Sequence, residues 1–295
     1  MEPGAPVGDA VAEGAATTSG GMPEGGSLFD SQPAANATAA TTKTRPRRLM
    51  DGNLAPVSGG VHEATLTSIR TLAEGVFEYV LTLDPVDADL RWRPGQFISL
   101  TCGNKPEGGP LLRSYSIANS PASGRIDLIV RLVDGGAASE WFSRLRGGER
   151  VYFTGPMGFF VLDLAHAGDQ LFLATGTGIA PLAPMIRESL ARDEPGRIRL
   201  LWGLREEQDI FWRDQIEELA ASPRFEFALH LTRPEPTWRG AHGRINQAAI
   251  DLLPSLARPT FYLCGNGAMI REVKASLVER GVDRKRQIRT EAFFG

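Results

Sequence analysis

The chain has 295 residues, of which 42% are hydrophobic and 23% charged, and its formal net charge at pH 7 is −3. This composition is typical of a globular protein with one large or two medium-sized domains, and it lacks the basic excess of proteins that bind nucleic acids. Two cysteines, Cys102 and Cys264, are too few for a disulfide framework, an all-cysteine zinc site or a four-thiolate iron–sulfur cluster. We therefore expect neither a nucleic-acid partner nor a metal site on this chain.

Residues 1–60 are predicted to be a disordered tail. Ala, Gly, Pro, Thr and Ser fill more than half of these positions, and Phe29 is the only aromatic residue among them. Such a segment cannot bury enough apolar surface to offset the entropy lost on ordering. The first residues also lack the basic and apolar regions of a secretory signal, so we expect a cytoplasmic protein.

Residues 61–164 are predicted to form a small antiparallel β-barrel. Short apolar runs bounded by turn residues indicate strands, and residues 139–145 have the pattern of a single helix. The six predicted strands are 62–70, 77–83, 96–101, 112–117, 126–133 and 150–154.

Residues 165–295 are predicted to form an α/β domain with a parallel sheet, because strand and helix patterns alternate along this part of the chain. No run of about 18 uninterrupted apolar residues occurs anywhere, so we expect no membrane insertion. The predicted strands are 170–175, 197–202, 225–231, 260–264 and 287–291, and the predicted helices lie near 180–192, 208–221 and 267–280.

The first candidate site is the Gly-Thr-Gly-Ile-Ala-Pro sequence at residues 176–181, which follows the first strand of the α/β domain. Glycines at such a turn let the backbone approach a pyrophosphate, whose charge the helix N-terminus favours. Pro181 in the first turn of the helix sacrifices no hydrogen bond. The strict dinucleotide pattern ends in a third glycine, so an ordinary strand-to-helix turn is the alternative.

A second group of candidates lies in the barrel, where Arg-Ser-Tyr-Ser occupies residues 113–116 and Gly-Ala-Ala-Ser occupies residues 136–139. An arginine can hold a phosphate, a tyrosine ring can stack on a heterocycle, and a helix that starts with Gly-x-x-Ser can cradle a second phosphate. Each residue also has a simpler interpretation: Arg113 as a surface charge, Tyr115 as a strand aromatic and Ser139 as an N-cap. Phosphate cradles in both domains together predict two bound nucleotides.

A third candidate is Cys264, followed by Gly265, at the carboxyl end of a predicted parallel strand. Ligands of open α/β sheets bind at this edge, so the thiol is placed to face a ligand. A free cysteine is also commonly a small buried hydrophobic residue, and the pattern does not decide between the two.

In chain order the four motifs are Arg-x-Tyr-Ser, Gly-x-x-Ser, Gly-Thr-Gly-Ile-Ala-Pro and Cys-Gly-x-x-x-Met. Motifs in this order, with a barrel before an α/β domain, resemble the ferredoxin–NADP reductase family over residues 62–295. The resemblance implies that FAD binds the barrel and NADPH the α/β domain. It also implies that electrons pass from NADPH through FAD to a ferredoxin or flavodoxin, and we expect the protein to be a monomer.

The resemblance assigns roles to individual residues. Arg113 would bind the FAD pyrophosphate, Tyr115 would pack on the isoalloxazine or ribityl group, and Ser116 would reach the flavin near N5. Cys264 would lie close to the centre of hydride transfer, and Phe293 or Phe294 would shield the nicotinamide site. The catalytic residues implied are Ser116, Cys264 and Phe294, and the cofactor-binding residues are Arg113, Ser114, Tyr115, Ser116, Ile129, Val130, Arg131, Gly136, Ala137, Ala138, Ser139, Gly176, Thr177, Gly178, Pro181, Arg205, Thr232, Arg233, Arg244, Cys264 and Gly265.

The choice of coenzyme follows from charge. The 2′-phosphate of NADPH is bound by arginines, whereas the ribose diol of NADH is bound by a carboxylate at the end of the second strand. Arg205 follows that strand, Thr232 and Arg233 follow the next one, and Arg244 lies farther on. This pattern favours NADPH, although Glu206 or Glu207 could bind a ribose instead, and the arginines could be ordinary surface charges.

Two alternatives to a ferredoxin or flavodoxin reductase remain at this point. One is the reductase component of an oxygenase or hydroxylase system, and the other is a non-catalytic nucleotide-binding scaffold for electron transfer. Flavin colour and NADPH oxidation separate the scaffold from the two enzymes.

Overall fold

The computed structural model describes residues 60–121, 124–165, 167–192 and 194–293. Except for Gly60, the predicted tail lies outside these residues. The described residues form two six-stranded sheets. One is antiparallel and the other parallel, and both sheet types are as predicted from the sequence. No helix among them is both long and apolar enough to cross a bilayer.

The antiparallel sheet forms the barrel. Its strands run in the order β4-β3-β6-β1-β2-β5, and a bridge between Ile117 and Leu128 joins the two outermost strands. Helix α1, Ala137–Arg144, lies between β5 and β6 in the chain. The strands are β1 His62–Ala73, β2 Val76–Leu83, β3 Phe97–Asn104, β4 Pro110–Ser116, β5 Arg125–Arg131 and β6 Arg150–Met157.

Alternation along the strands fills the barrel interior. In β3, for example, Ile98, Leu100 and Cys102 are buried and their neighbours are more exposed. This period of two is what a strand needs to face a core on one side. Phe142 of α1 closes this core by packing on Tyr79, with ring centroids 4.6 Å apart.

The parallel sheet has the order β10-β9-β8-β7-β11-β12. Its central strands are buried along almost their whole length, as expected for a parallel sheet covered by helices on both faces. Its elements are β7 Gln170–Thr175, α2 Ile179–Ala191, β8 Ile198–Leu204, α3 Arg213–Leu219, β9 Phe225–Leu231, β10 Ala241–His242, α4 Ile245–Leu252, β11 Thr260–Asn266, α5 Gly267–Glu279 and β12 Ile288–Phe293.

Two parts of the α/β domain differ from the sequence prediction. The helix predicted near 208–221 is a 3-10 turn at Glu207–Asp209 followed by the shorter α3. The two are separate because Trp212 takes a left-handed backbone conformation with φ of 52°. The short strand β10 and helix α4 were not predicted.

The barrel and the α/β domain share an apolar cluster. Val76 and Ile129 on the barrel belong to the same buried cluster as Ile179 and Met185 of α2. The connecting segment is fixed as well, because the backbone N–H of Asp163 donates to the Tyr262 hydroxyl at 3.0 Å. The predicted domain boundary at residues 164 and 165 falls in this segment between β6 and β7.

Candidate active site

Ser116 and Glu291 join the two domains at the candidate site. Ser116 is the last residue of β4 in the barrel, and Glu291 lies on β12 of the parallel sheet. The Ser116 hydroxyl donates a hydrogen bond of 2.8 Å to Oε1 of Glu291. Cys264 on β11 is paired in register with Glu291. The structure therefore brings the predicted residues Ser116 and Cys264 together, with a carboxylate between them.

Burial sets the protonation of this cluster. It raises the pKa of Glu291 above the ordinary carboxyl value, and the hydrogen bond from Ser116 opposes that shift. Burial also raises the pKa of Cys264 well above the ordinary thiol value, and the charge of Glu291 adds to the effect. Cys264 is thus a neutral thiol rather than a thiolate nucleophile, whereas Glu291 is a carboxyl group able to gain or lose a proton.

The glycine-rich turn at residues 176–178 lies against the end of β11. A Cβ atom on Gly178 would stand 2.6 Å from the carbonyl carbon of Cys264, and one on Gly265 would stand 2.6 Å from the carbonyl oxygen of Thr175. The backbone N–H of Asn266 also donates to the Thr175 hydroxyl at 2.7 Å. Glycine is required at both positions because the ends of β7 and β11 approach so closely.

The same turn has an open side. Gly176 has φ of 54°, and a Cβ atom there would meet nothing within 4 Å. Its carbonyl is held by the Trp202 indole N–H at 3.0 Å, and Pro181 is buried in the first turn of α2. No side chain caps the start of α2, so its first backbone N–H groups can receive an anion. The turn, including Thr177, therefore fits a pyrophosphate.

A second uncapped helix start lies in the barrel. Helix α1 has Gly136 at its N-cap and no side-chain cap, so the first amides, including those of Ala137 and Ala138, have no side-chain acceptor. Ser139 accepts a hydrogen bond from the Val133 amide at 2.8 Å. Its interpretation as a simple N-cap is therefore wrong, because its hydroxyl holds the preceding loop.

Arg113 and Ser114 are exposed on β4. The Arg113 guanidinium donates to the Leu112 carbonyl at 2.9 Å and has no carboxylate within 4 Å among the described residues. It is free to bind a phosphate. Together with the uncapped start of α1, this arginine gives the barrel a set of donors suited to a pyrophosphate.

Other predicted flavin contacts have structural neighbours of their own. Tyr115 packs edge-on against Phe142, with ring centroids 5.1 Å apart. On β5, Ile129 and Val130 are buried, and Arg131 lies 3.9 Å from Asp209 across the domain junction. Each of these side chains therefore contacts other protein groups over part of its surface.

The residues predicted to choose the coenzyme follow three adjacent parallel strands. Arg205 follows β8, Thr232 and Arg233 follow β9, and Arg244 precedes α4 just after β10. Since the carboxyl ends of parallel strands meet at one edge of a sheet, the arginines share one side of the domain.

Two of these arginines have acidic partners. Arg233 lies 3.7 Å from Glu206, and Arg244 lies 3.1 Å from Glu272. Glu207, the alternative ribose ligand, accepts the backbone N–H of Glu235 at 3.0 Å. Both carboxylates of the alternative, Glu206 and Glu207, therefore already bind protein groups.

Glu291 is the site residue that the sequence interpretation missed. The last predicted strand includes it, yet its role depends on contact with Ser116, 175 residues away. The signal available in the sequence was its place on a strand neighbouring that of Cys264. Phe294, predicted to be catalytic, lies outside the described residues, whereas Phe293 ends β12 and packs against the apolar cluster shared by the domains.

Two family models match the chain. The oxidoreductase FAD-binding domain matches residues 63–184, and the oxidoreductase NAD-binding domain matches residues 172–275. These matches cover the barrel and the glycine-rich turn, and then most of the α/β domain.

Proteins similar to this chain are reductases of several electron-transfer systems. Ferredoxin–NADP reductase B of Sorangium cellulosum is 36% identical over 76% of this chain and 94% of its own length. The reductase component of phenol 2-monooxygenase of a Pseudomonas species is 32% identical over 71% of this chain and 60% of its own length. A crystal structure of an Amycolatopsis cytochrome P450 reductase superimposes with a TM-score of 0.70 at 29% identity, covering 81% of this chain and 72% of that one.

Proposed function

The chain belongs to the ferredoxin–NADP reductase family, and on that premise we propose that it takes electrons from NADPH and delivers them, through FAD, to a ferredoxin or flavodoxin. The observation that carries the proposal is the hydrogen-bonded pair of Ser116 and Glu291 beside Cys264. It stands where the barrel meets the sheet edge that carries the glycine-rich turn of residues 176–178.

The residues present fit both nucleotides. Arg113 and the first amides of α1 would hold the FAD pyrophosphate, and the turn at residues 176–178 would hold that of the coenzyme. When bound, FAD supplies the redox chemistry, since it can accept a hydride from a nicotinamide and release electrons singly. The protein supplies binding, orientation and electrostatics.

Ser116, Glu291 and Cys264 have distinct roles in the proposed function. Ser116 donates to Glu291 and keeps the carboxyl group in one orientation. Glu291, whose pKa burial raises, can hold a proton at this junction or release it. The Cys264 thiol stays neutral. It is fully buried on β11, in register with Glu291. None of these side chains acts as a nucleophile.

We infer that NADPH is the preferred coenzyme. Arg205, Arg233 and Arg244 offer positive charge at one edge of the sheet, and a 2′-phosphate binds such groups through charge-assisted hydrogen bonds. The carboxylates able to bind a ribose diol, Glu206 and Glu207, are engaged with Arg233 and the Glu235 amide. Because the pair of Arg233 and Glu206 engages the arginine and the carboxylate alike, the support for a phosphate-bearing coenzyme is the clustering of three arginines at this edge.

A protein carrier would dock near Phe159. This side chain is 98% exposed, and a Cβ atom added to the preceding Gly158 would stand 3.0 Å from the ring of Phe97. Phe97 pairs with Ser116 across the neighbouring strands β3 and β4, so Phe159 lies on the barrel rim near the site. An aromatic side chain that is fully exposed near the candidate site would offer a protein carrier a large apolar contact.

The reductase component of an oxygenase system is the second candidate, because relatives that are such components match most of this chain. The two candidates share the chemistry and differ in the acceptor. Cytoplasmic localisation and a monomeric state stay predictions of the sequence.

The test is electron transfer from NADPH to three acceptors: ferricyanide, a ferredoxin or flavodoxin, and an oxygenase component. We expect ferricyanide and the ferredoxin or flavodoxin both to be reduced, with a similar amount of NADPH consumed per electron delivered. Reduction of ferricyanide and the oxygenase alone would favour the second candidate. A protein that reduces none of the acceptors while binding both nucleotides would be the non-catalytic scaffold.

A further inference from the structure

Asp163 lies in the segment that connects the barrel to the parallel sheet, and residues of both domains hold this segment. On the barrel side, the Arg93 guanidinium donates to the carbonyl of Leu162 at 3.0 Å, and the Leu162 side chain is buried. On the sheet side, Asp163 binds Tyr262 and Arg289. Two adjacent residues of the connection are therefore fixed to different domains.

Tyr262 and Arg289 are partners in the register of two neighbouring strands, β11 and β12. The hydroxyl of the buried Tyr262 accepts the backbone N–H of Asp163 at 3.0 Å, and the Arg289 guanidinium donates to Oδ2 of Asp163 at 3.3 Å. The same guanidinium donates to the carbonyls of Lys285 and Arg286 in the loop before β12, at 2.9 and 3.0 Å. Arg289 thus ties β12 and its preceding loop to the connection.

The active-site pair Cys264 and Glu291 lies two residues farther along the same two strands. Side chains two residues apart on a strand point to the same face of the sheet, about 7 Å apart along it. The Asp163 contact with Arg289 is therefore one step along β12 from the Glu291 carboxyl group.

β12 is the edge strand of the parallel sheet, so only β11 pairs with it through the backbone ladder. That ladder sets the position of β12 within the sheet, but the distance between the sheet and the barrel depends on other contacts. This distance matters because the hydrogen bond from Ser116 to Glu291 weakens when its atoms move apart by a few tenths of an ångström. The ion pair of Arg289 with Asp163 acts on this distance, since it ties β12 to a segment that the barrel also holds.

We propose that Asp163 is a positioning residue for the active site, because it holds β12 where the Glu291 carboxyl group meets Ser116. It acts through Arg289 and takes no part in the chemistry itself. The inference rests on the proposed function in one respect, that Glu291 belongs to the active site.

The titration of Glu291 reports whether this position is kept. Burial raises the pKa of Glu291 more strongly than the hydrogen bond from Ser116 lowers it. If β12 is released, water reaches the carboxyl group, and its pKa falls toward the ordinary value of 4.5. The Cys264 thiol, which faces Glu291 from β11, stays neutral and does not interfere.

A change of charge alone would give a different pattern. Loss of the negative Asp163 would lower the pKa of Glu291, whereas loss of the positive Arg289 would raise it. Release of β12 lowers the pKa in both cases. The two variants together therefore distinguish positioning from electrostatics.

The experiment follows this titration by NMR in the FAD-saturated protein, labelled with ¹³C at the carboxyl carbons of its glutamates. The signal missing from Glu291→Gln identifies Glu291. We expect its midpoint to fall toward 4.5 in Asp163→Ala and in Arg289→Ala alike, and no further in the double variant, because the two residues act as one unit. Arg289→Lys, which keeps a charge able to pair with Asp163, should stay closer to the wild type than Arg289→Ala.

Arg286→Ala is the matched control. This exposed arginine precedes β12 and lies 3.9 Å from Asp283, so its loss removes a nearby positive charge and leaves the Asp163 contacts in place. The midpoint should not move. A midpoint that falls in Asp163→Ala but rises in Arg289→Ala, or that is unchanged in both, would overturn the proposal. Thermal unfolding checks that each variant is folded, and Asp163→Asn replaces Asp163→Ala if that variant is not.

The titration requires no turnover, which separates this inference from the proposed function. It is repeated without FAD, and NADPH-driven reduction of ferricyanide is measured on the same samples. A wild type that does not reduce ferricyanide would contradict the proposed function, and the midpoints of the variants would still decide the role of Asp163.

Discussion

Ser116 and Glu291 lie 175 residues apart in the chain, and the hydroxyl of one donates a hydrogen bond of 2.8 Å to the carboxylate of the other. The contact joins the last residue of a barrel strand to the last strand of the parallel sheet. Since both domains must be folded and docked to form it, the pair exists only in the assembled protein. The position of the Glu291 carboxyl group is thus fixed by the domain junction itself.

The raised pKa of Glu291 predicts how stability depends on pH. A carboxyl group whose pKa is higher in the folded state favours folding below its unfolded value of about 4.5, and this contribution is lost as the pH rises through the folded value. The side chain of Glu291→Gln is neutral at every pH. This variant should therefore gain stability relative to the wild type as the pH rises, by about 1.4 kcal/mol for each unit that separates the folded from the unfolded pKa of Glu291.

Urea unfolding of the two proteins between pH 4 and pH 8 measures this difference. Ser116→Ala should extend the window to higher pH, because it removes the hydrogen bond that favours the carboxylate and so raises the folded pKa of Glu291 further. A wild type that becomes more stable than Glu291→Gln as the pH rises would refute the assignment.

Gly178→Ala should damage both folding and coenzyme binding. A Cβ atom there would meet the backbone of Cys264, which cannot move without displacing β11. Overpacking of this kind costs about 1 to 3 kcal/mol. The matched control is Gly147→Ala, where a Cβ atom meets nothing within 4 Å. Thermal unfolding and the KM for NADPH should change in the first variant only; equal effects in both would contradict the close approach.

Arg233→Ala should weaken the use of NADPH and leave that of NADH nearly unchanged. One charge-assisted hydrogen bond is worth about 1.5 to 3 kcal/mol, or roughly 10-fold to 100-fold in kcat/KM. The existing pair with Glu206 places the expected loss at the lower end, because a phosphate must compete with that carboxylate. Steady-state kinetics with both coenzymes provide the measurement, and parallel loss with both would show general damage instead.

Phe159→Ser should raise the KM for a protein carrier several-fold and leave ferricyanide reduction unaltered. The side chain is 98% exposed, so its loss should not disturb the core. Val86→Ser is the control, since Val86 is an exposed apolar residue elsewhere on the barrel. An unchanged KM for the carrier in Phe159→Ser would remove Phe159 from the docking surface.

Much of this fold follows from local patterns. The six barrel strands and the alternation in the α/β domain are marked by period-two burial, apolar runs and turn residues, and their types were predicted correctly. Helix α3 was predicted too long because the left-handed backbone of Trp212 depends on tertiary packing. Strand β10 has two residues and carries no pattern of its own.

The site was predicted less completely than the fold. Ser116, Cys264 and the glycine-rich turn stand in recognisable motifs, so their positions could be inferred. The role of Glu291 could not, because it arises from parallel register with Cys264 and from docking against the barrel. The ion pairs of Arg233 and Arg244 with glutamates are likewise products of the folded surface.

The most direct test of the central claim is the absorbance of the purified, FAD-loaded protein mixed with one equivalent of NADPH without oxygen. We expect the visible absorbance of the flavin to bleach on mixing, more slowly with NADH, and to recover when a ferredoxin or flavodoxin is added. A protein that binds no flavin after reconstitution, or whose bound flavin stays oxidised in the presence of either coenzyme, would contradict the account.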